Sequence, residues 1–328
     1  MEIFRTLVRP SSLSHKINYD SKILMLGSCF SQNIGAFFKE SKFQIDLNPF
    51  GIQYNPHSIA NALERIISGK LYQENELFFH QEQWHSFDHH GSFSNENKDA
   101  CLHDMNTRIK KSHENINKLS HLIITLGTNY YFQTIKEPKV VSNCHKVDNR
   151  EFDRIEMSSE DIRKLLLPLF RKLKTSNPQL QIILTVSPIR YIQRGFIENS
   201  FSKAKLLNAI DLLQKEDPSI IYYPVYEIVL DDLRDYRFYK EDMIHPSSEA
   251  IRYLWGQVKT SMIEHSCFQT MDDIQAIKRD MHHRPNNAMS QTYQTFLRSI
   301  DIKINKVAEQ FRQLDFNEEK ALLAEKKR

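Results

Sequence analysis

Lys22-Ile-Leu-Met-Leu-Gly27-Ser28-Cys29-Phe30-Ser31 is a short apolar run broken by Gly-Ser. It reads as a buried strand whose last residues put a hydroxyl at the carboxyl end of a sheet, the edge where open α/β proteins bind ligands. Gln32 to Glu40, which follows, reads as a helix that aims its N–H groups and positive dipole end at the same spot. A serine so placed is either a nucleophile beside a site for negative charge or, at Ser28 or Ser31, a helix cap.

Further runs repeat the pattern. Ile23–Leu26, Phe43–Leu47, Leu122–Leu126, Gln181–Val186 and Ile220–Tyr223 read as strands. Helical spacing predicts helices at Gln32–Glu40, His57–Ser68, Ser159–Lys174, Ser202–Lys215 and Ser247–Glu264, with Ser202-Lys203 as a cap. Five apolar strands with helices between them predict an α/β fold, a mainly parallel sheet covered on both faces. The stretch from Leu71 to Lys118 fits worst and reads as an inserted strand pair or long loop near the rim of a site. It is rich in histidine, but the string between His85 and His89 is Ser-Phe-Asp, without the glutamate of HExxH, so no metal is expected. His85 instead reads as a contact for sugar hydroxyls, with Trp84 as a stacking platform.

The chemistry-bearing residues lie at strand ends and in one late loop. Asp242-Met-Ile-His245-Pro246 sets a carboxylate three residues before a histidine, close enough to fix its tautomer as a general base. Gly127-Thr128-Asn129 ends another strand and offers an amide donor for an oxyanion. With Ser28, these supply nucleophile, base, orienter and oxyanion partner. Only 8 glycines occur in 328 residues, so Gly27, Gly51 and Gly127, all at ends of apolar runs, read as backbone requirements. Cys29 raises a thiol alternative; neighbours at a strand end point different ways, and a buried cysteine commonly serves as a small hydrophobe. Cys144 and His145 of Asn143-Cys-His-Lys146 read as pocket lining or a turn, and Arg190 as a pocket cation. Asp231 to Tyr239 reads as a salt-bridged scaffold for Asp242 and His245.

The order Gly-Ser, a later glycine, Gly-x-Asn and Asp-x-x-His resembles the SGNH (GDSL-like) hydrolase superfamily. Within it, Gly27-Ser-Cys-Phe-Ser31, Asn143-Cys-His-Lys146, Thr185-Val-Ser-Pro188 and Leu233-Arg-Asp-Tyr-Arg-Phe-Tyr239 through His245-Pro246 resemble the GSCFA family over residues 1 to 265. The resemblance implies a three-layer α/β/α fold, SGNH- or flavodoxin-like, with a central five-stranded sheet. It implies Ser28 as nucleophile, His245 as base and Asp242 as orienter. The oxyanion hole it implies comprises the N–H groups of Ser28 and Gly51 and the side chain of Asn129. The chain departs from the superfamily in lacking the Asp of Gly-Asp-Ser and in having Tyr130 after Asn129.

Composition narrows the function classes. A net charge of +3 argues against nucleic acid as a partner. The four cysteines show neither metal-like spacing nor a disulfide framework. No apolar run nears membrane-spanning length and Met1 to Arg5 lacks a leader pattern, so no membrane and a cytoplasmic location are expected. Residues 266–328 read as a helical extension of the 1–265 domain. An apolar stripe runs from Ile274 to Leu314 across a break at Arg284-Pro-Asn-Asn287, and a charged end at Ala321 to Arg328 is expected to fray. Such a stripe packs on its own domain or joins two copies into a homo-oligomer. The expectation is an esterase acting on a small-molecule or glycan ester through an acyl-enzyme, without a cofactor. An acyltransferase with the same residues, or a ligand-binding protein on the fold, is the alternative.

Overall fold

The computed structural model describes residues 5–283, 285, 287 and 289–327. The break read at 284–287 falls partly on Arg284 and Asn286, which lie outside the described residues, as do Met1 to Phe4 and Arg328. Two compact units are present.

The first unit comprises residues 5–11, Lys22–Gly35 and Ile45–Gln257. Along the chain come β1 (Lys22–Gly27), α1 (Cys29–Glu40), β2 (Gln44–Leu47) and α2 (Pro56–Ser68). The hairpin β3 (Phe78–His80) and β4 (Gln83–His85) and the helix α3 (Lys98–Ile116) precede β5 (His121–Leu126). Then come β6 (Tyr130–Thr134), β7 (Val140–Val141), β8 (Phe152–Glu156), α4 (Ser159–Ser176) and β9 (Gln181–Val186). After α5 (Phe196–Glu216), β10 (Ile221–Tyr222) and one turn of α6 (Val225–Glu227), α7 (Ser248–Met262) closes the series. The five runs read as strands form one sheet in the order β10-β9-β5-β1-β2, and β1, β5, β9 and β10 are parallel. Strands β5 and β9 are buried along their whole length, as a parallel sheet covered on both faces demands.

That order positions the site. From β1 the sheet extends one way to β2 and the other way through β5, β9 and β10. The direction reverses between β1 and β5, and a crevice outside the carboxyl ends at such a switch point is where α/β sheets bind ligands.

Two expectations are corrected by the structure, and a second sheet is added to them. The segment from Leu71 to Lys118 does contain a strand pair, but also the 19-residue helix α3, which buries Cys101, Met105, Ile109 and Ile116. Its apolar stripe is thin among charged residues, so the sequence hides it. A second, antiparallel sheet in the order β7-β6-β8 was not read at all, because β6 is half-buried throughout and shows no inside–outside alternation. Ser202-Lys203 is no cap: helix α5 starts at Phe196, and the pair sits well inside it.

His89 follows β4 into an aromatic box. Its ring stacks on Phe50 at 4.8 Å and meets Tyr72 at 4.8 Å and Phe93 at 4.9 Å. Burial, then the Arg65 and His145 charges, drives its pKa down to about 3. The unfolded chain binds a proton near 6.5 and the folded one does not, so stability falls as pH drops below 6.5 toward 3. At pH 5 the expected loss relative to pH 7 is about 2 kcal/mol from His89. His145, lowered by burial to about 4, adds in the same direction. Urea unfolding at pH 7 and pH 5 checks this: His89→Gln is expected to shrink the difference, and an equal difference in both proteins would remove His89 from it.

The second unit comprises residues 12–21, 36–44 and 258–327. Leu13 and Ile17 donate N–H bonds to the carbonyls of Ser261 and Met262 at 3.0 and 2.7 Å. Tyr19 stacks on Phe43 with centroids 4.6 Å apart. The helices α8 (Phe268–Met281), α9 (Gln291–Gln310) and α10 (Asn317–Lys326) bury the stripe read from sequence, including Ile274, Ile277, Leu297, Ile300 and Ile304. Helix α10 runs to Lys326, with Leu323 buried and Lys327 2.7 Å from Asp301.

Candidate active site

Gly27 ends β1 with φ +137°, where an added Cβ would lie 2.3 Å from the Thr125 carbonyl oxygen of β5. Only glycine fits a turn pressed this close to a neighbouring strand. The Oγ of Ser28 accepts the N–H of Phe30 at 3.2 Å, and its carbonyl accepts the N–H of Gln32. Ser28 is fully buried. Cys29 opens helix α1 and is half-buried, its Sγ 3.5 Å from the Tyr54 hydroxyl.

Asp242 and His245 meet as their spacing predicts. Asp242 Oδ2 lies 2.7 Å from His245 Nδ1, while Oδ1 accepts the N–H groups of Ile244 and His245 at 2.8 and 2.9 Å. Those bonds, the His245 N–H first, hold the Asp242 carboxyl down to about 2. An ionised carboxylate accepts only, so Nδ1 carries the proton and Nε2 is left as the basic nitrogen. Arg190 braces the loop: its N–H and guanidinium reach the carbonyls of Ile244 and Met243, both at 3.3 Å, and its guanidinium lies 4.0 Å from the Tyr239 ring centroid.

A cavity of about 530 Å³ joins these parts. Cys29, Tyr54, Asn55, Thr128, Tyr191 and His245 line it. Arg190, Asn143 and Cys144 do so as well, so the Cys144 and Arg190 expectations find their residues at the cavity wall. Burial pushes the Cys144 thiol up to about 11.

Other expected residues stand elsewhere, each for a reason in its hydrogen bonds. Ser28 Oγ accepts the Phe30 N–H at the helix start and also meets the hydroxyl of Tyr191, which lines the cavity. The Gly51 N–H is spent on the Asn48 carbonyl at 2.7 Å. The Asn129 amide donates to the Met157 carbonyl at 2.9 Å and its N–H to Ser202 Oγ, so this buried residue ties β5 to the chain after β8. His145 Nε2 pairs with the Ser86 carbonyl at 2.8 Å, and His85 is held by Ser94 Oγ and the His80 carbonyl. Trp84 packs with Phe79 and under Lys98. Gly51, Asn129, His145, His85 and Trp84 do not line the cavity. Among the described residues, no group of three or more His, Cys, Asp or Glu side chains is arranged to hold a metal ion.

Tyr54, Asn55 and Tyr191 were not singled out from sequence. Asn55-Pro56 is a helix-start signal, and Asn55 Oδ1 does accept the Ser58 N–H at 2.8 Å, which fixes how its NH₂ group is oriented. The Tyr residues carry no such signal. Behind the cavity, buried Lys203 donates to the carbonyls of Gly127 and Ser187, both at 2.7 Å, and so ties together the loops that leave β5 and β9. Burial lowers its pKa to about 7.

The chain belongs to the GSCFA family, whose pattern matches residues 22–258. Residues 274–327 match the C-terminal domain of GSCFA domain proteins. Among solved structures the chain is similar to a carbohydrate esterase family 3 protein from Talaromyces cellulolyticus, at 10% identity and a TM-score of 0.34 over 77% of this chain and 99% of that one. It is also similar to an acetyl xylan esterase (Est2A) from the rumen bacterium Butyrivibrio proteoclasticus, at 10% identity and a TM-score of 0.36 over 74% of this chain and 64% of that one. None of the curated proteins matches it in sequence. Among the described residues, no helix is long and apolar enough to cross a membrane.

Proposed function

We propose that the chain is an SGNH-type acyl hydrolase that cleaves a small or carbohydrate-linked ester through an acyl-enzyme. The observation that carries this is the 2.7 Å contact between Asp242 and His245, with His245 lining the cavity that Cys29 of the β1–α1 turn also lines. A histidine whose Nδ1–H is held by a carboxylate keeps Nε2 free to take a proton from a nucleophile and return it to a leaving alkoxide. The residue block 1–265 would carry this chemistry, with 266–328 as a helical extension.

The turn supplies the attacking group. The N–H of Cys29 heads helix α1, where no intrahelical acceptor is available, and faces developing negative charge with the dipole's favourable end. The NH₂ group of Asn55 is the second oxyanion donor in this reading. Tyr54, Tyr130 and Phe132 offer ring faces and Thr128 and Asn143 polar groups at the same cavity, a mixture suited to a sugar.

Turnover of p-nitrophenyl acetate and of acetylated saccharides by the wild type and by His245→Ala tests the proposal. Expected is hydrolysis by the wild type and a loss of about 10⁴-fold or more in the variant. Equal rates in both would sink the base assignment, and saccharide binding without turnover would favour a binding role.

A further inference from the structure

We propose, resting on the hydrolase reading above, that the ester this chain takes carries an anionic group, a carboxylate or a phosphate, which Arg154 and Arg194 hold in a second cavity beside the reactive one. That cavity has a volume of about 560 Å³. Tyr130, Phe132, Cys144 and Tyr191 line both cavities, so the two adjoin across a largely aromatic wall. A saccharide whose acyl group reaches His245 in the first cavity presents its remainder to the second.

Arg154 is the anchor. It stands on β8, registered opposite Phe132 of β6, and its guanidinium lies 3.8 Å from the Tyr130 ring centroid, which fixes its place in the wall. Its side chain is only 12% exposed. Nε and Nη1 are buried without a hydrogen-bond partner, and Nη2 reaches Glu156 at no less than 3.4 Å. Glu156 also takes Lys205 at 3.0 Å, so one carboxylate serves two cations. A guanidinium held this far from water with so few partners costs stability, and a bound oxyanion supplies the negative charge that the fold withholds.

The rest of the wall favours donors over acceptors. Arg194, exposed on the turn Ile192–Arg194, is a second cation lining this cavity, and among the described residues Glu198 is the one carboxylate set against the pair. Asn199 spends its Oδ1 on the Tyr191 N–H at 2.9 Å, which leaves its NH₂ group to donate. Ser202 Oγ accepts the Asn129 N–H at 2.9 Å, which leaves its O–H to donate. Two guanidinium groups with neutral donors beside them suit a planar carboxylate or a phosphate and repel an amine.

The experiment compares acetylated methyl glucoside with acetylated methyl glucuronide and acetylated methyl glucoside 6-phosphate, which keep the acyl group and change the charge. kcat and KM are measured on the full chain for wild type, Arg154→Met, Arg154→Lys and Arg194→Met, beside calorimetric binding of the three unacetylated glycosides. Expected in the wild type is a kcat/KM for an anionic ester about tenfold or more above that of the neutral one, carried by KM; the better anion names the group. Arg154→Met should bring that ratio close to unity, Arg154→Lys should keep part of it, and Arg194→Met should lower it partway. Equal kcat/KM and equal binding of neutral and anionic sugars by the wild type overturn this inference and leave the hydrolase reading standing, with no variant having to fold. A preference untouched by both Arg154→Met and Arg194→Met overturns it as well. Anionic glycoside binding that Arg154→Met abolishes, with no ester turned over by any of the proteins, upholds the anion site and overturns the hydrolase reading. Thermal unfolding of Arg154→Met separates a lost site from a lost fold, and the exposed Arg194 can be changed without that risk.

Discussion

Asp242→Asn is expected to lower turnover about 10⁴-fold while leaving KM within severalfold, through a wrong tautomer rather than a lost fold. Asp242 uses both oxygens: Oδ1 holds the N–H groups of Ile244 and His245, and Oδ2 holds Nδ1–H of His245. Asparagine keeps one oxygen for the backbone and turns an NH₂ toward Nδ1. Donor then faces donor, the imidazole moves its proton to Nε2, and the nitrogen that should receive the nucleophile's proton is already occupied. Asp242 and His245 side chains are 43% and 39% exposed, so the substitution should leave the melting temperature nearly unchanged. Because the carboxyl is held down to about 2, its contact with His245 is present at every pH above that and is lost only as pH falls through it. The measurement is kcat and KM for both proteins from pH 5 to 8. A variant within tenfold of the wild type throughout would show that Asp242 only shapes the loop.

What could be read from sequence follows from what is local. The three inner strands β1, β5 and β9 were legible because a parallel strand buried on both faces is a continuous apolar run, and such runs need no partner to be recognised. Asp242 and His245 were legible as a pair because three residues of loop suffice to bring them together. The oxyanion donors were not, since whether an N–H or amide is free depends on distant partners: the Asn48 carbonyl claims Gly51 and the Met157 carbonyl claims Asn129. The same holds for Ser28 and Cys29. Their sequence position is one residue apart, but only the rotation of the β1–α1 turn decides which partners each side chain meets, the Phe30 N–H and the Tyr191 hydroxyl for Ser28 and the Tyr54 hydroxyl for Cys29. Helix α3 escaped for another reason, because its buried stripe is a minority among charged residues.

That turn depends on one glycine, and Gly27→Ala should be strongly damaging. The new Cβ would sit 2.3 Å from the Thr125 carbonyl oxygen, 2.9 Å from the Thr125 nitrogen and 3.0 Å from Ser31 Oγ. Two of these are backbone atoms of β5, and Gly27 is registered opposite Thr125 in the β1–β5 ladder, so relief requires parting the central strands. Steric overpacking costs about 1–3 kcal/mol and a left-handed φ in a residue with a Cβ about 1–3 more. Against a typical total stability of roughly 5–15 kcal/mol, the sum removes a large share. The expected result is a melting temperature lower by roughly 10 °C, or insoluble protein, measured by thermal unfolding beside Gly256→Ala, where the added Cβ meets nothing within 4 Å. Any Gly27→Ala protein that folds should also be slow in turnover, because Ser28 and Cys29 follow directly on the strained residue. A variant that melts within about 2 °C of the wild type would mean the ladder yields cheaply at its end. The geometry of the turn would then have to come from Ser28 and its cap rather than from the glycine.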